Sequence, residues 1–228
     1  MQRKDIRLAA GNGAGGFDCY VVTPDSTGKV PAIVLASAIH GVDADLRAIA
    51  DEFAAAGYLA AAPDLFSRTV PGPLARGDER STPRGQPRLQ RIKEGEADMA
   101  DTLAHLRTLP QFNGRAVAMG FCYGGPFALI GPKRVGYAAG VSCHGTQLAD
   151  FAHELDGVKQ PVCLIWGDQD HAAPPPVRAL FAARQDVELH IFPGVQHGYM
   201  MPGGGKAFSK PAREFSMGRA LSILQGLR

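Results

Sequence analysis

The sequence has little net charge and no long apolar run, and each shortage excludes a class of protein. Over 228 residues the formal net charge is +2, which is too small to favour nucleic acid as a partner and favours small-molecule chemistry. No run approaches the roughly 20 apolar residues that cross a bilayer. No apolar stretch follows the charged residues 1–10, as it would in a secretory signal. We therefore expect a cytoplasmic protein without a membrane or nucleic-acid partner.

Cysteines are few and have no paired spacing. Their scatter is typical of reduced thiols rather than of a disulfide framework. The four positions are Cys19, Cys122, Cys143 and Cys163. The histidines also have no metal-ligand spacing, so we expect neither a metal nor a cofactor. The length and a hydrophobic content of 45% suffice for one well-cored domain, which we predict to span residues 1–228.

From residue 30 onward, apolar runs alternate with helical periods. Residues 30–39 are almost wholly apolar, as expected of a parallel strand buried on both faces. Asp43 can then cap a helix that ends at Gly57, and residues 58–62 return as a strand. Further strands are expected at residues 116–120, 137–142, 162–166 and 187–192, and further helices at 92–106, 175–183 and 212–227. In the last of these helices we expect the side chains of Phe215, Leu221 and Leu224 to face the core. The alternation predicts an α/β fold with a doubly wound, mostly parallel sheet flanked by helices.

The glycine-rich residues 11–16 formally match a dinucleotide-binding fingerprint. That fingerprint works only where the glycines open a helix whose N-terminus receives a pyrophosphate. Here residues 17–22 have the composition of a strand. We therefore interpret the glycines as a hairpin turn between two strands.

Residues 116–125 predict a strand, a sharp turn and a helix. The apolar run ends at Gly120, and Cys122 lies between that glycine and Gly124. A nucleophile displayed at a strand-to-helix turn has a strained backbone, and side chains two positions away on either side would collide. Gly120 and Gly124 remove that collision. The pattern is that of a nucleophile elbow with cysteine in place of serine.

Two later loops place further reactive side chains beyond strand ends. The loop after residues 162–166 carries Asp168 and Asp170, and the loop after residues 187–192 carries His197. Reactive groups gather at the carboxyl ends of the strands in a sheet of this type. Nucleophile, acid and histidine is also the chain order of the α/β-hydrolase arrangement. On this argument alone, either aspartate could be the acid.

These motifs give the chain a resemblance to the dienelactone hydrolase family of α/β hydrolases. It rests on residues 120–125, 167–174 and 196–198, and on the Ala-Pro-Asp-Leu segment at 62–65. The resemblance implies an α/β-hydrolase fold and a hydrolase that cleaves a small-molecule ester or lactone through a thioester acyl-enzyme. By similarity, Cys122 is the nucleophile, His197 the base and Asp170 the acid, because the family's acid precedes the position of His171.

The attacked carbonyl would need an oxyanion hole made of backbone N–H groups. One comes from Tyr123, directly after the nucleophile, and the other from Ile39 or His40 on an earlier loop. The substrate side departs from the family: Ala38 stands where a glutamate commonly contacts the thiol, and Tyr199 begins a segment that commonly carries an arginine for the substrate carboxylate. We therefore expect a substrate that need not be a dienelactone.

Candidate substrate contacts are Arg80, which could replace a second family arginine, together with His40 and Tyr199 as pocket walls. Arg80 belongs to residues 66–91, which are rich in proline, glycine and arginine and poor in apolar side chains. Two interpretations stay open for this segment: a solvated excursion, or a rim over the site in which one arginine meets an anionic group. His144 either borders the pocket or makes a structural hydrogen bond.

The competing function is a binding protein on a hydrolase fold that has no turnover, or one that uses Cys122 for redox sensing. The presence of all three triad residue types argues against a binding protein. No resolving cysteine for a redox role is evident in the sequence.

Overall fold

The computed structural model describes residues 1–11, 13 and 15–228. Its strands are β1 Gln2–Ala9, β2 Gly16–Thr23, β3 Val30–Ala36, β4 Leu59–Pro63, β5 Phe112–Phe121, β6 Ala139–Cys143, β7 Val162–Gln169 and β8 Glu188–Gln196. They form one eight-stranded sheet in the order β1-β2-β4-β3-β5-β6-β7-β8. Strand β2 is antiparallel to β1 and β4, and all pairings from β4 to β8 are parallel. The predicted doubly wound, mostly parallel sheet is confirmed.

The first two strands form the predicted hairpin, with Ala9 opposite Gly16. The glycine-rich turn at residues 11–16 includes positions 12 and 14, which lie outside the described residues. Because a strand and not a helix follows the glycines, the dinucleotide fingerprint is excluded.

Helices cover both faces of the sheet. They are α1 Ala44–Ala55, α2 Ser81–Arg84, α3 Arg88–Leu106, α4 Gly125–Arg134, α5 Pro175–Ala182 and α6 Lys210–Gln225, and short 3-10 segments cover Cys122–Gly124, Leu148–Leu155 and Pro202–Ala207. One apolar core joins the sheet to α3, α4 and α5, and a second joins it to α1 and α6. None of the helices among the described residues combines the length and apolar character that a membrane crossing requires.

The start of α1 follows the sequence prediction in detail. Asp43 has an extended backbone, and its side chain accepts a hydrogen bond from the backbone N–H of Leu46 at 2.9 Å. This bond satisfies one of the N–H groups that a helix start leaves without an intrahelical partner. The cap therefore sets the direction in which the chain leaves the loop after β3.

The inward orientation predicted for Phe215 on α6 is wrong. Its side chain is 37% exposed, and its ring lies edge-on to Phe192 on β8, with centroids 5.2 Å apart. Ser216 occupies the inward position, where its hydroxyl donates to the carbonyl of Ala212 and pairs with the hydroxyl of Tyr199. Leu224 is buried and Leu221 partly buried, as predicted, so only the first turn of the predicted stripe is wrong. Ser216 can occupy the core position there because its hydroxyl is hydrogen-bonded.

Residues 66–91 pack onto the body of the protein through arginine side chains. Arg68 forms two hydrogen bonds of 2.5 and 2.6 Å with Asp98 on α3, whose side chain is fully buried. Arg84 is 1% exposed and its guanidinium carbon lies 4.0 Å from the ring centroid of Phe66. Its guanidinium donates to the backbone carbonyls of Ile39, Val70 and Gly72. The interpretation as a solvated excursion is therefore wrong for this part of the segment.

Candidate active site

Cys122 lies on a sharp turn directly after β5, as the elbow prediction requires. Its φ is +50°, a left-handed conformation that a residue other than glycine adopts at a cost. A Cβ on Gly120 would lie 2.1 Å from the carbonyl oxygen of Gly124, and a Cβ on Gly124 would lie 2.2 Å from that of Ala36. Both distances are impossible contacts, so the turn that displays the thiol requires glycine at both positions.

The three side chains that the sequence predicts as a triad lie in one hydrogen-bonded chain. His197 Nε2 is 3.1 Å from the Sγ of Cys122, and His197 Nδ1 is 2.8 Å from the Oδ1 of Asp170. Asp168 instead accepts a hydrogen bond from the backbone N–H of Gly194 at 2.7 Å and thereby ties the two loops together. Of the two aspartates that the sequence left open, Asp170 is the one in contact with the histidine.

The surroundings of this chain favour a positive charge on His197. Burial lowers the pKa of the imidazole, but its hydrogen bonds to Asp170 and Cys122 outweigh this effect and raise the pKa to about 10. The Asp170 side chain is fully buried, and its Oδ1 also accepts the backbone N–H of Ala172 at 2.8 Å. A buried carboxylate in contact with an imidazole orients the ring and favours its charged form. Near neutral pH, His197 therefore keeps its proton beside the sulfur.

Two backbone N–H groups are candidates for an oxyanion hole, as predicted at Ile39 and Tyr123. The Tyr123 N–H lies in the first turn after Cys122, where N–H groups have no intrahelical partner. No described residue accepts a hydrogen bond from the Ile39 N–H. The carbonyl groups of the same two residues are also hydrogen-bonded. The Ile39 carbonyl accepts a hydrogen bond from Arg84 Nε at 2.9 Å, and the Tyr123 carbonyl accepts one from Arg88 at 2.7 Å. Each candidate donor residue is thus held by an arginine of residues 66–91.

A cavity of about 390 Å³ opens beside the thiol. It is lined by Ile39, Thr82, Gly85, Gln86, Arg88, Cys122, Tyr123, Thr146, Gln147 and His171. Thr82, Gly85, Gln86 and Arg88 come from residues 66–91, so this segment forms the rim that the second interpretation predicted. Its cation at the cavity is Arg88, whose guanidinium also lies 3.7 Å from the ring centroid of Tyr123.

The three predicted substrate contacts need correction. Arg80 is 59% exposed and pairs with Asp78 at 2.7 Å, so its charge is satisfied in solvent away from the cavity wall. Tyr199 is fully buried and its hydroxyl bonds Ser216, because the turn after His197 carries this side chain into the core. His40 also lies off the cavity lining; its carbonyl accepts the N–H of Leu74.

Sequence reasoning left the cavity positions of Arg88, Thr146 and Gln147 unassigned. Thr146 donates to the carbonyl of Cys122 from its backbone N–H at 3.0 Å and from its hydroxyl at 3.2 Å, which braces the elbow. Thr146 and Gln147 follow the carboxyl end of β6, the same signal that located the acid and the histidine. Arg88 could not be distinguished from the other arginines of its segment, because only the fold determines which of them faces the cavity.

His144 lies directly behind the triad. Its ring is edge-on to that of His197, with centroids 5.0 Å apart, and it is 1% exposed. Its φ is +40°, and neither ring nitrogen has a hydrogen-bond partner among the residues that the structure describes. Burial and the neighbouring His197 hold the pKa of His144 well below its usual value. For the alternative of a structural hydrogen bond from this ring, the described residues offer no side-chain or backbone partner within hydrogen-bond distance.

Known proteins with similar sequences and folds include several hydrolases. They include carboxymethylenebutenolidases: that of Pseudomonas putida is 30% identical over 80% of each chain, and carboxymethylenebutenolidase 1 of Cupriavidus pinatubonensis is 24% identical over 94% of this chain and 93% of its own. A solved structure of a dienelactone hydrolase-like promiscuous phosphotriesterase from metagenomic libraries superimposes with a TM-score of 0.80 at 19% identity, covering 100% of this chain and 99% of its own.

The structural likeness concerns the fold, and the sequence match assigns the family. The fold is that of the α/β hydrolases, with the elbow after β5 and the two further loops at the same edge of the sheet. The family model for dienelactone hydrolases matches residues 17–227. Since this match spans nearly the whole sequence, the chain belongs to the dienelactone hydrolase family.

Proposed function

We propose that this protein hydrolyses a small-molecule ester or lactone with Cys122 as nucleophile, His197 as base and Asp170 as the acid that orients the base. Family membership makes the chain a hydrolase of esters or lactones. The observation that carries the triad is the continuous contact from Cys122 Sγ through both nitrogens of His197 to Asp170 Oδ1, at 3.1 and 2.8 Å.

The reaction begins with the Cys122 thiolate, since the thiolate and not the thiol is the nucleophile. The raised pKa of His197 favours the imidazolium, so the proton already rests on Nε2 beside the sulfur. Attack of the sulfur on the carbonyl carbon forms a C–S bond and moves an electron pair onto the oxygen. The proton on His197 then passes to the leaving alkoxide, and the acyl group stays on Cys122 as a thioester.

The second half of the reaction returns the enzyme to its starting state. His197, now neutral, takes a proton from water, and the hydroxide attacks the thioester carbon. The C–S bond then breaks, its electron pair returns to the sulfur of Cys122, and the carboxylic acid product leaves. In both halves the negative oxygen would accept hydrogen bonds from the backbone N–H groups of Ile39 and Tyr123, each typically worth about 2.7 to 4 kcal/mol of transition-state stabilisation. Asp170 holds the tautomer of His197 throughout and stabilises its charge.

The cavity supports a substrate that need not carry a carboxylate. Arg88 is its cation, but the guanidinium already donates to the Tyr123 carbonyl and stacks on its ring, so only part of it remains for a ligand. The segment after His197 offers no arginine to the cavity. It carries Tyr199, Met200 and Met201 instead, and all three side chains are buried. We therefore propose that neutral esters and carboxylate-bearing lactones are turned over at comparable rates.

A chromogenic acetate or butyrate ester tests the function. Wild type is compared with Cys122→Ala, which removes the sulfur of a partly buried side chain, and both proteins are checked for folding by circular dichroism. We expect wild type to release the chromophore fast, and the variant to release it at the uncatalysed rate. Equal, slow release by both proteins would contradict catalysis at Cys122. A strict requirement for a carboxylate on the substrate would contradict the proposed specificity.

The same assay distinguishes hydrolysis from the alternative function, redox sensing by Cys122. Cys19, Cys143 and Cys163 are buried, and burial raises the pKa of each thiol, so none offers an accessible partner for a disulfide with Cys122. Stoichiometric loss of one thiol under peroxide, without ester turnover, is the result that would favour redox sensing over hydrolysis.

A further inference from the structure

Three donor atoms of the kinds that bind zinc converge behind the cavity. The thiol of Cys122, a ring nitrogen of His144 and a ring nitrogen of His197 all lie within 4.8 Å of one another. We propose that these three residues form a binding site for Zn²⁺, and that the bound ion reversibly blocks hydrolysis. The proposal goes beyond the proposed reaction, which uses Cys122 and His197 but gives His144 no role.

The state of His144 is an independent observation that points to a ligand. Its side chain is buried, and both ring nitrogens have no hydrogen-bond partner in the described part of the chain. A buried polar group without a partner destabilises the folded protein, because it loses its hydrogen bonds to water without replacement. Its backbone also has a φ of +40°, a conformation that costs further free energy. Coordination of a cation would satisfy one of these nitrogens.

The ring of His144 is held in place before any ion binds. Its backbone N–H donates to the carbonyl of Ile165 on β7 at 2.8 Å, and its ring packs edge-on against Tyr199, with centroids 5.2 Å apart. A fixed imidazole reduces the entropy lost on coordination. The ring of His197 is also oriented in advance, by the contact of its Nδ1 with Asp170 Oδ1 at 2.8 Å.

One thiolate and two imidazoles are a donor set that Zn²⁺ prefers in a tetrahedral arrangement, with the fourth position open to water. Neighbouring ligand atoms around such an ion are about 3.5 Å apart, given Zn–S and Zn–N bonds of about 2.3 and 2.0 Å. The observed 3.1 Å between Cys122 Sγ and His197 Nε2 is slightly shorter, so His197 must move back by a few tenths of an ångström. Oxygen-preferring ions such as Mg²⁺ do not match this donor set.

Ion binding and catalysis exclude each other because they use the same electron pairs. Zn²⁺ forms bonds to the sulfur and to a nitrogen of His197, and the proton that the pair shares is released to solvent. The sulfur then has lower nucleophilicity, and His197 can neither donate nor accept a proton. Removal of the ion by a chelator restores both groups without any change in covalent structure.

Cobalt binding tests the site without relying on turnover. Chelator-treated protein is titrated with Co²⁺, and we expect a thiolate-to-cobalt charge-transfer band in the near ultraviolet together with the intense visible bands of a tetrahedral site. Zn²⁺ should displace both signals, and Cys122→Ser should abolish the charge-transfer band. If wild type gives no such band, the proposal is overturned. This result is independent of whether the protein hydrolyses esters.

Two histidine variants test which ring completes the site. His171 is the matched control, because its ring also lies beside His197, with centroids 4.6 Å apart, and it belongs to a different grouping with Asp170 and His197. The apparent affinity for Zn²⁺ is measured by displacement of Co²⁺ and by inhibition of ester hydrolysis, each relative to the variant's own uninhibited rate. Asparagine is the replacement in both, since it tolerates a positive φ.

We expect His144→Asn to bind Zn²⁺ at least about tenfold more weakly than wild type, the minimum loss when a zinc site is disturbed, and His171→Asn to bind with wild-type affinity. Equal binding by wild type and His144→Asn overturns the proposal. Loss of binding only in His171→Asn also overturns it and locates the ion at Asp170, His171 and His197.

If His144→Asn does not fold, X-ray absorption of the wild-type zinc complex decides, because it counts the nitrogen ligands of the ion. Two nitrogen ligands support the site, and one overturns it.

Discussion

Arg84 Nε donates a hydrogen bond to the carbonyl oxygen of Ile39 at 2.9 Å, from a side chain that is 1% exposed. Arg88 makes the corresponding bond to the carbonyl of Tyr123 at 2.7 Å. Ile39 and Tyr123 are the residues whose N–H groups we propose as the oxyanion hole. Arginines from one rim segment therefore hold the peptide unit that directly follows each candidate N–H donor. Hydrogen bonds from charged donors are among the stronger ones in proteins.

The first prediction concerns Arg88→Gln. Loss of the guanidinium frees the Tyr123 carbonyl and the face of its ring, so the adjacent N–H group is less well positioned for the transition state. A charged hydrogen bond contributes about 1.5–3 kcal/mol, and we expect kcat to fall about tenfold or more with a neutral ester. Steady-state kinetics with Arg80→Gln, an exposed arginine of the same segment, should match wild type. A kcat unchanged in Arg88→Gln contradicts the positioning role.

The second prediction distinguishes the two aspartates of one loop. Asp170→Asn keeps the shape of the side chain but removes the charge that orients His197, and we expect kcat to fall by about 10² to 10⁴. Asp168→Asn keeps an oxygen that can still accept the N–H of Gly194, and we expect less than about a tenfold effect. Initial rates with a chromogenic ester measure both. Equal losses in the two variants would assign no special role to Asp170.

The third prediction concerns the reactivity of the thiol in the free enzyme. Since the pKa of His197 is raised to about 10, the imidazolium persists from neutral pH up to that value and stabilises a thiolate beside it. We expect iodoacetamide to alkylate Cys122 rapidly at pH 7, with little increase in rate up to about pH 9. Mass spectrometry should locate the label at Cys122, because the other three cysteines are buried.

His197→Gln is the control for this reactivity, because it removes the charge but leaves the sulfur accessible. Its alkylation rate at pH 7 should be lower by at least about tenfold and should rise with pH as for a free cysteine, whose pKa is about 8.5. A wild-type rate that already follows a pKa near 8.5 would mean that His197 does not control the protonation of Cys122.

The fourth prediction tests the elbow itself. In Gly124→Ala the new methyl group would lie 2.2 Å from the backbone oxygen of Ala36, so the turn must shift. We expect a loss of at least about 2 kcal/mol in the free energy of unfolding, as for overpacked cores, together with loss of ester hydrolysis. Gly218→Ala is the control: it adds a methyl group to α6 where no atom lies within 4 Å, and should stabilise by about 0.5–1 kcal/mol.

Local sequence patterns were sufficient to predict most of the strands and helices and the side chains of the proposed triad. Each depends on residues close in the chain: the cap at Asp43, the glycines around Cys122, and loops that follow strand ends. Parallel strands bring their carboxyl ends to one edge of the sheet, so the order of the motifs was enough to predict that Cys122 and His197 meet one of two aspartates, and the family resemblance favoured Asp170. The contact between Asp170 and His197 then removed the ambiguity with Asp168.

The substrate side of the site depended on the tertiary structure. The sequence favoured Arg80, but the fold turns it to solvent beside Asp78 and brings Arg88 to the cavity. In an arginine-rich segment with little periodicity, no local rule distinguishes one guanidinium from another. The partner of each is set by the packing of residues 66–91 on Asp98, Ile39 and Tyr123, which are distant in the chain.

The sequence alone therefore determined the α/β-hydrolase fold, the family and which side chains form the proposed triad. Only the tertiary structure decided what surrounds them, including the packing of Tyr199 in the core and the unpartnered ring of His144 beside His197. The physical reason is that backbone preferences and strand order act through near neighbours. The orientation and desolvation of a side chain depend on every element packed against it.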